Sequence, residues 1–132
     1  MASFPGYAHI AVTVTDLDKS RIWYQELFGV EPMLDEDTGA YYHVAFPIGE
    51  GTLFGLHAHP ATDRRYGFKE KAVGLDHVAF ECQDRAELDS WATRLDELGI
   101  THSPVVDAPY GSGLSFRDPD NIALEFFAPP SK

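Results

Sequence analysis

The chain repeats itself. Sliding the sequence by 68 positions sets Gly6 on Gly74, His9 on His77 and Ala11 on Ala79. The same offset sets Asp16 on Asp84, Trp23 on Trp91 and Leu27 on Leu95, and later Ala40 on Ala108, Tyr42 on Tyr110 and Leu56 on Leu124. The sequence holds two tryptophans, and they fall on one another. Gly29 and Gly99 stand 70 apart, which implies a two-residue insertion after the helix that is reversed further on. A period this long means one supersecondary unit used twice.

Each half reads alike. YAHIAVTV alternates along a strand, with Tyr7, His9, Ala11 and Thr13 on one face, and LDHVAFEC does the same with Leu75, His77, Ala79 and Glu81. Asp16 and Asp84 are placed as helix N-caps. The helices that follow carry apolar positions Trp23, Leu27 and Phe28, then Leu88, Trp91, Leu95 and Leu98, with Gly29 and Gly99 placed to end them. Three β stretches are expected after each helix, near 31–37, 41–47 and 52–58, then near 101–107, 112–116 and 121–127. RDPDN, 117–121, reads as a turn in which Asn121 tolerates a left-handed conformation. The fold class is therefore α+β, two tandem βαβββ modules whose mixed sheets curl around a concave cavity. The expected organisation is a single domain over 1–132, with module 1 at about 5–60, a linker at about 61–72 and module 2 at about 73–128. The linker stretch PATDRRYGFKEKAV gathers Arg64, Arg65, Lys69 and Lys71.

The bulk properties exclude several classes. A net charge of −11 argues against nucleic acid, because neutralising phosphates needs a clustered basic surface. No apolar run reaches the roughly 20 residues that span a bilayer. The opening MASFPGYAHI has neither a basic region nor an apolar signal core. One cysteine, Cys82, makes no internal disulfide framework and fits a reducing compartment, so a cytoplasmic protein is expected, and the concave cavity between the sheets is where a small ligand is expected.

Four residues stand out chemically. His9 opens the first module and His57 closes it 48 residues later; His77 opens the second and Glu125 closes it, again 48 later. Equal spacing inside a repeat superposes His9 on His77 and His57 on Glu125, so a pseudo-twofold arrangement would bring all four together. Imidazole nitrogens and one carboxylate suit a divalent metal such as Zn, Fe(II), Co, Ni or Mn, and the single carboxylate leaves a positive ion able to polarise a substrate oxygen. His59, on the same face two residues on, is the alternative to His57. Singly, each of these is more often an ordinary polar residue than a ligand; the constellation rests on the spacing. Blander roles are expected elsewhere. Cys82 reads as an inert buried thiol, the tryptophans as core, His43 and His102 as surface residues. Glu81, Tyr42, Tyr110 and Phe54 either line the cavity or fill structure, and DAPYGSG, 107–113, is the candidate lid.

GYAHIAVTVTDLDKSRIWYQELFG, VGLDHVAFECQDRAELDSWATRLDELG and RDPDNIALEFF together resemble the vicinal oxygen chelate superfamily. It comprises glyoxalase I, extradiol dioxygenases, methylmalonyl-CoA epimerase, fosfomycin-resistance enzymes and bleomycin-binding proteins. The resemblance implies a glyoxalase-like fold, with His9, His77 and Glu125 at the ligand positions of the first, fifth and eighth strands. His57 stands where glyoxalase-like members often carry Glu. It implies a metal-dependent enzyme in which two adjacent substrate oxygens chelate the ion, a lyase or isomerase with Glu125 as general base, and a homodimer. The competing implication is a non-catalytic, antibiotic-sequestering protein similar to the bleomycin-binding members, which generally lack the four donors.

Overall fold

The computed structural model describes residues 3–131. Each half of the repeat folds as βαβββ. The first has β1 (His9–Thr13), α1 (Leu17–Phe28), β2 (Leu34–Asp37), β3 (Tyr42–Ile48) and β4 (Thr52–Ala58). The second has β5 (Val78–Glu81), α2 (Arg85–Glu97), β6 (Val106–Ala108), β7 (Gly111–Arg117) and β8 (Ala123–Ala128). Two compact units result, dividing between Arg65 and Tyr66 inside the expected linker. Each unit is one four-stranded mixed sheet, ordered β1-β4-β3-β2 and β5-β8-β7-β6. In each, the opening strand runs parallel to the closing one and the other pairs are antiparallel.

The helices begin where an aspartate accepts a backbone N–H. Asp16 Oδ1 takes the amide of Lys19 at 3.1 Å, and Asp84 Oδ1 takes that of Glu87 at 2.9 Å. Gly29 ends α1 in the left-handed conformation at φ 69, and Gly99 follows α2 at φ 72. In the first unit α1 packs Tyr24 and Phe28 against Phe54, at centroid distances of 5.0 and 5.4 Å, over buried Val44, Phe46 and Leu56. In the second, Trp91 stacks on Phe126 at 4.5 Å, beside buried Leu88, Leu95, Leu114 and Leu124. Phe54 is thus a core residue, fully buried under its helix. Period-2 alternation then sends the other set of side chains to the face away from the helix. That set includes His9, Ala11 and Thr13 on β1, with Gly55 and His57 on β4. In the second unit it includes Ala79, Ser115 and Glu125.

Three expectations need correction. DAPYGSG is no free loop: Val106–Ala108 pairs with Gly111–Gly113, leaving Pro109 and Tyr110 as a hairpin tip, with the Tyr110 ring stacked on Phe127. His43 and His102 are partly buried rather than free at the surface. Their side chains keep 17% and 15% of their exposure and are bonded to Glu36 and Asp96, because both lie in strand or bridge positions facing an acidic neighbour. The third correction concerns the register of the closing strands.

Candidate metal centre

In the second unit, β5 and β8 place Val78 beside Leu124 and Ala79 beside Glu125. In the first unit, β1 and β4 place Ile10 beside Phe54 and Ala11 beside Gly55. Ala79 and Ala11 differ by 68, but Glu125 and Gly55 differ by 70. The hairpins agree. Phe46 opposite Phe54 corresponds to Phe116 opposite Leu124, and Tyr42 opposite Ala58 to Ser112 opposite Ala128, each at 70. The two-residue insertion around the second helix is therefore never reversed. The residue of the first unit that occupies the place of Glu125 is Gly55, and His57 corresponds to Phe127. The equal spacing of 48 came from an opening strand and a closing strand that follow different offsets.

The consequence is metric. His9 stands beside Leu53 and His57 beside Thr13, four residues further along the strand pair, about 13 Å at the rise of a strand. Glu125 is only two residues beyond the level of His77, and the side chains close the gap: His77 Nε2 lies 3.9 Å from Glu125 Oε1. That is too long for a hydrogen bond and shorter than two metal–ligand bonds of about 2.1 Å laid end to end, so a single cation between them would be within reach of both atoms. On its other side the His77 ring sets Nδ1 2.7 Å from Asp76 Oδ1. The Glu125 carboxylate lies over Gly113, where an added Cβ would come within 3.0 Å of Oε2. Glycine there makes room for the carboxylate. Across the strand from Glu125 stands Ser115.

His57 lies on the same sheet as His9, close enough to feel that imidazole, but its ring contacts are with other residues. Tyr41 stacks on its ring at 4.8 Å and 17°, His43 meets it edge-on at 5.4 Å, and His59 lies 5.9 Å away just beyond the end of β4. His43 Nε2 is 2.8 Å from Glu36 Oε1. Burial, followed by the nearby imidazoles of His43, His59 and His9, holds the affinity of His57 for a proton below that of an ordinary histidine. Neither the Tyr41 and His43 surround nor Asp76 was picked out from the sequence. Asp76 carried a signal in being the residue next to His77. The surround carried none, because it depends on β2, β3 and β4 lying side by side. Among the described residues no three His, Cys, Asp or Glu side chains are gathered as a metal-holding group. His77 and Glu125 meet in the second unit, while His9 stands on the first. Cys82 is buried, and burial, with Glu87 and Asp84 adding to it, pushes its thiol up to about 11, the inert thiol expected.

The family model described as Glyoxalase/Bleomycin resistance protein/Dioxygenase superfamily matches residues 6–126. The chain belongs to that superfamily. The metallothiol transferase FosB of Shouchella clausii is 33% identical over 124 residues, covering 91% of this chain and 77% of that protein. The glyoxylase/bleomycin resistance protein/dioxygenase domain from Frankia sp. EAN1pec is similar in structure, with a TM-score of 0.87 at 31% identity over 98% of this chain and 95% of that one. A mutant fosfomycin resistance protein FosX from Listeria monocytogenes, complexed with Mn(II) and 1S,2S-dihydroxypropylphosphonic acid, superposes with a TM-score of 0.70 at 25% identity. That match covers 97% of this chain and 93% of its own. The α+β fold of two βαβββ modules expected from the repeat, glyoxalase-like as the resemblance implies, is thereby established. No helix among the described residues is long and apolar enough to cross a membrane.

Proposed function

We propose that this protein is a divalent-metal-dependent enzyme acting on a small oxygenated substrate, with His9, His77 and Glu125 as the protein ligands. The observation that carries the reading is the facing pair His77 and Glu125, 3.9 Å apart on the face of the sheet that no helix covers. Two imidazoles and one carboxylate are a donor set that Zn, Fe(II), Co, Ni and Mn accept. When bound, the ion supplies Lewis-acid polarisation of a substrate oxygen, and two adjacent oxygens of one substrate satisfy the positions the protein leaves open. Gly55 brings no donor where a fourth strand ligand would stand, which leaves more of those positions to the substrate.

The residues also bear on the reaction. A lyase or isomerase of the glyoxalase kind asks a carboxylate to take a proton from carbon, and here Glu125 would have to do so while also acting as the ligand. Adding an external nucleophile to a polarised substrate asks for no such base. The name of the FosB relative, a metallothiol transferase, points the same way. The reading favoured here is therefore transfer or addition to a small oxygenated molecule. Ser115, opposite Glu125 in the strand pair, would offer its hydroxyl to a substrate oxygen. A sequestering protein without chemistry has no use for the facing imidazole and carboxylate.

The test is metal analysis of protein purified without a nickel column, followed by competition titration. Wild type is expected to bind one divalent ion per chain. His9→Ala, His77→Ala and Glu125→Ala each weaken it at least tenfold, while His57→Ala and His59→Ala retain it. Wild-type protein indifferent to Mn, Zn, Fe(II), Co and Ni sinks the metal reading. Loaded protein that binds small epoxides or other oxygenated electrophiles but never consumes them in the presence of a thiol favours sequestration.

A further inference from the structure

The two nitrogens of the His77 ring have different neighbours. Nδ1 meets Asp76 Oδ1 at 2.7 Å, and Nε2 faces Glu125 Oε1 at 3.9 Å. An ionised carboxylate only accepts, so the hydrogen between His77 and Asp76 rides on Nδ1. A neutral ring then carries its lone pair on Nε2, the nitrogen directed at Glu125. An unassisted histidine prefers the opposite tautomer, with the hydrogen on Nε2 and the lone pair on Nδ1. We infer that Asp76 is a positioning residue: it selects the tautomer and the ring plane in which His77 presents a donor to the ion that His77 and Glu125 share. This role rests on the metal reading above.

The repeat supplies an internal comparison. The offset of 68 that sets His9 on His77 sets Ala8 on Asp76. Alanine has no acceptor, so the residue before His9 cannot do for that ring what Asp76 does for His77. The two imidazoles of the donor set are therefore unlike, one prearranged and the other left to be ordered by the ion. Both partners of the Asp76–His77 bond are well exposed, at 73% and 46% of their side-chain surfaces. The bond therefore does little for the stability of the sheet, and its use lies in direction.

The experiment has two readouts. Long-range proton–nitrogen NMR of the metal-free protein reports the tautomer of His77, and competition against a chelating dye reports the dissociation constant for Mn or Zn. Wild type is expected to show hydrogen on Nδ1 and Asp76→Ala to revert to hydrogen on Nε2. The affinity should weaken about 10–100-fold, the usual effect of removing the group that orients a ligating histidine. Asp76→Asn keeps an oxygen acceptor, so it should retain much of the tautomer and fall between the two in affinity. The melting temperature of the metal-free variants should stay at the wild-type value. A wild-type His77 with its hydrogen on Nε2 overturns the inference. So does an Asp76→Ala protein that binds metal as wild type does while His77→Ala has lost it. Wild type that binds no divalent ion overturns the metal reading itself and takes this role with it, a result distinguishable from the other two.

Discussion

Two histidines in this chain are perturbed in opposite senses, and the cause in each case is local. Burial and three neighbouring imidazoles disfavour the proton on His57, whose ordinary value is 6.5. The carbonyl of Ser103, 2.7 Å from Nδ1, and the Asp96 carboxylate, 2.7 Å from Nε2, favour the proton on His102. The unfolded chain takes up its histidine protons near pH 6.5 and the fold protonates His57 only at lower pH, so the His57 contribution is present above about 6.5 and is lost as pH falls through the lower folded value. For His102 the sign reverses. Its contribution is complete below about 6.5 and disappears as pH rises through the higher folded value. In metal-free protein, His57→Gln should therefore lessen the loss of stability between pH 7 and pH 5. His102→Gln should cost more at pH 5 than at pH 8. Urea midpoints at the three pH values check both, and a His57→Gln profile parallel to wild type would refute the first.

At the scale of elements, the site depends on how the last hairpin is held. Asp118 is buried, and its Oδ1 accepts from the amides of Asp120 at 2.8 Å and Ile122 at 2.7 Å. Asn121, at φ 66, turns the chain into β8 and donates from its side chain to the carbonyl of Phe68. This turn sets Ser115 opposite Glu125. Asp118→Ala removes a charged acceptor and leaves two amides without it, and should cost about 3 kcal/mol in urea unfolding. Asn121→Gly, which accepts the same φ but loses the hydrogen bond to Phe68, should cost no more than about 1 kcal/mol. Unchanged stability of Asp118→Ala would show that the turn is held by its backbone alone. The turn residues, both N-caps, both helices and the facing of every site histidine were legible in the sequence, because each rests on local chemistry or on alternation. The pairing of His57 with Glu125 was not. A one-residue slip turns a strand over and breaks the pattern, whereas a slip of two keeps every side chain on its face. Offsets of 68 and 70 therefore look alike to alternation. Only the hydrogen-bonded partners, Ala11 beside Gly55 and Ala79 beside Glu125, separate them.

At the scale of the whole molecule, the proposed donors are divided between the two units, His9 on one and His77 with Glu125 on the other. The family resemblance implies a homodimer, and we propose that a closed twofold dimer would hold two identical sites, each taking His9 from one protomer and the remaining donors from its partner. The expected assembly is such a homodimer. Light scattering at micromolar concentration should report twice the chain mass, and a stable monomer would rule it out. Mixing variants goes further. His9→Ala and Glu125→Ala proteins are each expected to bind metal poorly alone. Unfolded together and refolded, half of the dimers carry one of each chain, and each of those has one site with both defects and one with none. About a quarter of all sites are then intact, as follows from random pairing of a symmetric dimer. Metal binding and activity should return to about that fraction. If every site instead draws its three donors from a single chain, no mixture restores anything, since each site inherits one defect or the other. A mixture that stays inactive while the dimer mass is unchanged would thus place the complete donor set within one protomer.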